Sequence, residues 1–195
     1  MTTIALKLIA APVIEPIELA QAKSHLRVDG ADDDTLIADI IKAARQYCED
    51  YQNRAYVTQT WDLWLNAWPG GDAIKIPLPP LQSVTSVKYY DTANAEAIMA
   101  PADYFVDNVT EPGRVVVAYG KTWPAASLRP ANSVTVRFIA GYGDAAAVPQ
   151  VIKQAMLLVI GDMYEHRENT AIGRQGYELP LAAKSLLNMN RVWPT

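Results

Sequence analysis

The sequence predicts an α+β protein. A small helical bundle is built from the two ends of the chain, with an antiparallel sandwich- or barrel-like β block inserted between them. Three observations carry this. Residues 34–53 and 149–168 place apolar side chains at three- and four-residue steps. Between them that spacing gives way to β-branched and aromatic residues. Eight of the thirteen prolines fall between Pro69 and Pro130, where they punctuate loops and blunt strand edges. Neither helical end can bury its apolar face alone, so the simplest solution packs the two long helices together. The expected plan is a first helical part at 1–55, an inserted β domain at 56–142, and a second helical part with the C-terminal tail at 143–195.

In chain order, "PIELAQAKSHLR" (16–27) reads as a short helix started by Pro16, with Ile17, Leu19, Ala22 and Leu26 on one face. After the turn "VDGADDD", residues 34–53 form the clearest amphipathic helix. Leu36, Ile37, Ile40, Ile41, Ala44, Tyr47, Cys48 and Tyr51 make its apolar side; Asp39, Lys42, Arg45, Glu49 and Asp50 take much of the other. Strands are expected at 57–65, 73–77, 84–91, 95–99, 104–108, 114–120 and 133–141. The corner "GYGDAAAVP" returns the chain to helix 149–168, whose apolar face is Ile152, Ala155, Met156, Val159, Ile160 and Met163. "LPLAAKSLLNMN" predicts a last short helix started by Pro180.

Composition removes several functions. A net charge of −4 argues against strong nucleic-acid binding, which needs a basic face. One cysteine excludes an intramolecular disulfide framework, and with two histidines it leaves a zinc site dependent on carboxylates in no supporting pattern. The N-terminal stretch has no basic leader, so no signal peptide is expected. The apolar run around "AMLLVIGDMY" is too short and interrupted to span a membrane.

The candidate motifs mostly favour structural readings. Gly141-Tyr142-Gly143-Asp144-Ala145-Ala146 follows a strand like a dinucleotide-binding turn, but no helix begins inside it, so it reads as a strand-to-helix corner. Asp29, Asp32, Asp33 and Asp34 lack the glycine and glutamate of a calcium loop and read as helix-capping acids. His25 and His166 sit near helix ends with no nucleophile motif beside them, so no catalytic residue, cofactor site or metal site is assigned. Trp61, Trp64 and Trp68 read as core or subunit contacts rather than a carbohydrate- or base-stacking surface. Tyr164, Arg167, Arg174, Tyr177 and Trp193 mix aromatic and arginine residues as partner-binding anchors do, or are isolated aromatics on a solvated tail.

Three stretches together resemble the head–tail connector (adaptor) proteins of tailed bacteriophages, in the larger form with a β insertion. They are "EPIELAQAKSHLRVDGADDDTLIADIIKAARQYCEDYQNRAYVTQTW" (15–61), "IPLPPLQSVTSVKYYD" (76–91) and "SVTVRFIAGYGDAAAVPQVIKQAMLLVIGDMYEHRE" (133–168). The resemblance implies a non-enzymatic virion protein of a phage or prophage, assembled in the host bacterial cytoplasm. It implies a ring of about twelve copies joining the portal protein to tail-completion proteins. Genomic DNA would pass through without sequence-specific binding, and no membrane is involved. It further implies that residues 177–195 reach the portal, and that removing them abolishes portal binding while leaving the fold intact. The alternatives are another neck or tail-completion protein, an enzyme with scattered site residues, or a carbohydrate-binding module.

Overall fold

Alternating apolar residues in the middle of the chain and helical periodicity at its flanks produce two compact units. One comprises Met1–Pro12 with Thr58–Tyr142; the other comprises Val13–Val57 with Gly143–Thr195. The computed structural model describes residues 4–166 and 180–193.

The first unit is antiparallel β structure. Strands β1 (Ile4–Ala10), β2 (Gln59–Leu65), β3 (Ala73–Lys75), β4 (Leu81–Tyr90), β5 (Glu96–Ile98), β6 (Tyr104–Asp107), β7 (Arg114–Val117) and β8 (Val134–Ala140) form two sheets. The five-stranded sheet has the order β1-β2-β8-β4-β5 and the three-stranded sheet β3-β7-β6. Both end in free edges, so the barrel-like expectation is corrected: neither sheet closes on itself. The alternation along β8 explains its central place. Val134, Val136, Phe138 and Ala140 point to one face and are buried with Leu63 and Leu65 of β2 and Val87 of β4. On the opposite face Asp62 is buried and holds Arg137 through two 2.8 Å hydrogen bonds. Seven of these strands fall where the sequence expects them. β1 does not: residues 4–10 were assigned to the helical region and instead pair with β2.

Among the described residues the second unit holds four helices: α1 (Leu19–Leu26), α2 (Asp34–Gln52), α3 (Gln150–Glu165) and α4 (Leu181–Asn188). α3 packs against α1, α2 and α4. α1 starts three residues later than Pro16 suggests, because the Glu18 backbone N–H is taken by the Gln21 side chain at 3.2 Å. α2 ends at Asn53, whose positive φ of 53° closes the helix in a left-handed cap. The corner before α3 needs positive φ at Gly141 (117°) and Gly143 (121°), which glycine alone adopts readily. Pro149 caps α3 rather than opening it.

The expected apolar face of α3 is buried from Ile152 to Ile160, with Met163 only half-buried. α2 differs from expectation in an informative way. Ile37, Ile41, Ala44 and Cys48 are buried as expected, but so are Arg45, Glu49 and Gln52, two of which were placed on the solvent side. Leu36 is exposed instead. Burial, aided by the nearby Glu49 charge, pushes the Cys48 thiol up to about 12. Native protein is therefore expected to react with iodoacetamide at pH 8 at least about 100-fold more slowly than protein in guanidinium. Equal rates would show that Cys48 is not enclosed.

Candidate functional site

Several hydrogen bonds in the helical unit converge where the C-terminal residues meet the end of α2. Gln52 is fully buried, and its side-chain amide donates to the Leu187 carbonyl at 2.6 Å. The Val192 N–H donates to the Gln52 carbonyl at 2.9 Å, and the Asn53 side chain donates to the Val192 carbonyl at 2.8 Å. Arg54 Nε donates to the Asn190 carbonyl at 2.5 Å, and the Tyr51 hydroxyl to Asn188 Oδ1 at 2.8 Å. Helix ends leave carbonyls without intrahelical partners. Here Gln52 uses its carbonyl, and its neighbours their side chains, to hold the turn and irregular segment after α4. The Arg191 guanidinium lies 4.5 Å from the ring centroids of both Tyr51 and Trp193, a cation held between two aromatic faces. Trp193 itself remains 65% exposed.

A second polar network lies deeper along α2. Arg45 Nε donates to Glu15 Oε2 at 2.7 Å and its Nη1 to Glu49 Oε2 at 2.6 Å. Glu49 Oε1 accepts the Tyr56 N–H at 2.7 Å, and the Tyr56 hydroxyl donates to Gln52 Oε1 at 2.6 Å. Desolvation pulls the Arg45 pKa down, but Glu49 and Glu15 more than offset it and hold it above its usual value. A chain of hydrogen bonds thus runs from Glu15 through α2 to the C-terminal segment.

Of the expected partner-binding residues, the two that are described, Tyr164 and Trp193, lie far apart. Tyr164 is half-buried and donates to Asp33 Oδ2 at the start of α2. Trp193 sits by Tyr51 at its far end, about 27 Å away along the helix axis. Arg167, Arg174 and Tyr177 lie outside the described residues. Tyr51 and Arg191, which flank Trp193 in space, were missed. Their signal was weak: Tyr51 reads as one more apolar-face residue, and Arg191 as a tail charge.

The other candidates have local roles. Asp34 bridges Lys23 at 2.5 Å, and Asp33 accepts from Tyr164, so these acids tie α2 to α1 and α3. The His166 backbone N–H donates to the Asp162 carbonyl at 3.0 Å. His25 packs against α3 at Gly161. Trp64 stacks with Tyr90, and Trp68 stacks with Trp123 at 4.9 Å. The register of β2 with β8 puts Trp61 and Trp64 on opposite faces of the sheet, so the three tryptophans do not share one face. Among the described residues no group of three His, Cys, Asp or Glu side chains is placed to hold a metal ion, and no helix is long and apolar enough to cross a membrane.

Residues 16–109 match the model of the phage gp6-like head–tail connector family, which bears out the resemblance read from the sequence. The match spans α1, α2 and strands β2 to β6. Three solved structures share the fold over nearly the whole chain. A chain in the neck of an empty gene transfer agent particle, computed with C6 symmetry, has a TM-score of 0.81 and 24% identity, covering 98% of this chain and 97% of that one. A chain in the virion of the native gene transfer agent particle has a TM-score of 0.80 and 24% identity, covering 97% and 96%. A chain in the native particle's neck, computed with C12 symmetry, has a TM-score of 0.77 and 23% identity, covering 97% of each. At these identities the likeness is one of fold. No curated protein matches the chain significantly.

Proposed function

We propose that the chain is a non-enzymatic head–tail connector that assembles as a ring of about twelve copies in a virion, between the portal and the tail-completion proteins. The connector-family match over 16–109 carries this reading. The shared fold with a neck chain solved under C12 symmetry supports the ring. In this reading the four described helices make one small bundle, the β domain is an insertion in the chain between them, and assembly takes place in the host bacterial cytoplasm before the particle is complete. Tyr164 and Trp193, with Arg167, Arg174 and Tyr177, are the proposed partner contacts. Trp193 is the strongest, since an exposed aromatic braced by an arginine is a common interface anchor.

The charge distribution refines the DNA-passage proposal. The β unit carries seven acidic and seven basic residues, whereas the helical unit carries fourteen acidic and ten basic ones. All of the net −4 therefore belongs to the helical unit. Repeated around a ring, it makes an anionic collar that repels DNA only within about 8–10 Å at cellular salt. Such a lining lets the genome slide rather than grip it.

The test is the solution mass of the purified protein, alone and mixed with a purified portal ring. A complex holding about twelve copies on the portal is expected. Binding to tail-tube proteins but not to portal would instead indicate a neck component one layer further down.

A further inference from the structure

Strand β1 is joined to the chain differently from the rest of its sheet. β2, β8, β4 and β5 all come from Gln59–Ala140, whereas β1 precedes the whole helical segment Val13–Val57 in the chain. It is also lightly held. Every residue from Ala5 to Ala10 is exposed, with Leu6 at 39%, Leu8 at 42% and Ile9 at 40%. Its attachment rests chiefly on the backbone ladder to β2, and an element with few buried apolar contacts opens at low cost.

The residues that follow have the form of a hinge. In Ala11–Ile14, Val13 is 97% exposed and Ile14 43%. Pro12 biases Ala11 towards extended backbone. Beyond this link the chain is pinned: Glu15 accepts from Arg45 Nε at 2.7 Å, and Pro16 and Ile17 are buried. A lightly held terminal strand on a short link with one fixed end is suited to exchange between copies.

The outer edge of β1 is poorly suited to recruiting a further strand. Lys7 sits at its centre, and the register shifts between Leu8 and Ala10, a bulge at Ile9. Both features blunt an edge. The surface that β1 does fit is β2, where Ile4 to Leu8 face Leu65 to Trp61 in register and Ala10 faces Thr60. A second copy presents the identical β2 edge, so the same register serves between copies and no new complementarity is required.

We propose that in the ring each copy gives its β1 to the β2 edge of the next copy. This rests on the ring reading above and names its contact. The exchange keeps the ladder and adds a contact, because the opened hinge crosses between two copies and covers Val13 and Ile14. Neighbours in a ring hold their β2 edges at high effective concentration. Donation runs one way, so it is heterologous and propagates around a ring rather than stopping at a dimer.

Ala10→Cys and Thr60→Cys test the exchange, because these two residues face one another across the ladder and both are small. Cys48 is buried and does not compete. The two single variants are co-expressed, assembled alone at high concentration or on the portal ring, and treated with a short bis-methanethiosulfonate. Such a reagent spans the roughly 4.5–5.5 Å between opposite Cβ atoms in a ladder. Covalent dimers holding one copy of each variant are expected, with none from either variant by itself. The double variant, cross-linked as a dilute monomer, has β1 locked on its own chain. It should assemble at least about tenfold more weakly, and a reductant should restore it. Mixed rings without such dimers, in which the double variant links only within chains, would overturn the exchange and leave the ring standing. So would normal ring formation by the locked protein. Protein that stays monomeric both alone and on the portal ring would overturn both readings.

Discussion

Deleting residues 181–195 is expected to destroy the cooperative unfolding transition of the helical unit, not merely to remove a partner contact. Ala183 and Leu187 are fully buried where α4 packs on α3. Truncating one buried leucine typically costs about 2–5 kcal/mol, and the deletion removes the whole helix. It also removes hydrogen-bond partners at the end of α2. The Gln52 amide loses the Leu187 carbonyl, and Arg54 Nε loses the Asn190 carbonyl. Each lost hydrogen bond, replaced by one to water, adds about 0.5–1.5 kcal/mol. These losses together reach the roughly 5–15 kcal/mol that holds a typical domain folded. Thermal melting followed by near-ultraviolet circular dichroism should show the transition lost or lowered by at least about 15 °C. The expectation that 177–195 could be removed with the fold intact is corrected for the described part of that segment, because α4 and residues 189–193 are built into the unit. A partner contact is better probed by Trp193→Ala. That change removes a mostly exposed ring and one cation–π face, worth about 0.5–1 kcal/mol at an exposed site. Wild-type melting of the deletion variant would show that α4 is dispensable.

How much of this was legible in the sequence depended on whether a residue's neighbours in the chain were also its neighbours in space. Helix α3 was legible because Ile152, Ala155, Met156, Val159 and Ile160 are buried by the same periodicity that defines them. β8 was legible because its alternation is set by one covered face. β1 was not. "IALKLIA" has short alternation with nothing around it to indicate a partner, and its place beside β2 depends on residues more than fifty positions away. The polar stripe of α2 failed for a different reason. Arg45, Glu49 and Gln52 continue the buried stripe from Ile41 at four- and three-residue steps. Charge argued for solvent, and only the arrival of Glu15, Tyr56 and Leu187 reverses that argument. The connector resemblance was legible because it rested on several stretches in order.

Replacing Glu49 with alanine is expected to cost about 3–5 kcal/mol, the range for breaking a buried ion pair by removing one partner. The size follows from what remains. Arg45 is 6% exposed and would keep Glu15 but lose the carboxylate that neutralises its other end. The Tyr56 N–H would lose the oxygen it donates to at 2.7 Å. An unpaired guanidinium cannot shed its proton to escape, as a lysine or histidine would, because its pKa is far above any working pH. Removing both charges is a different experiment. Arg45→Met with Glu49→Leu fills the same volume with apolar side chains and leaves no stranded charge at that pair. The double variant is therefore expected to recover most of the loss. Urea unfolding of the wild type, both single variants and the double variant gives the coupling directly, and neighbouring charged residues should show clear non-additivity. If Glu49→Ala unfolds within about 1 kcal/mol of wild type, the network is surface-like in its energetics and does not brace the C-terminal segment. If the single losses simply add in the double variant, Arg45 and Glu49 act independently, and the chain of bonds from Glu15 to Leu187 is only a sequence of neighbours.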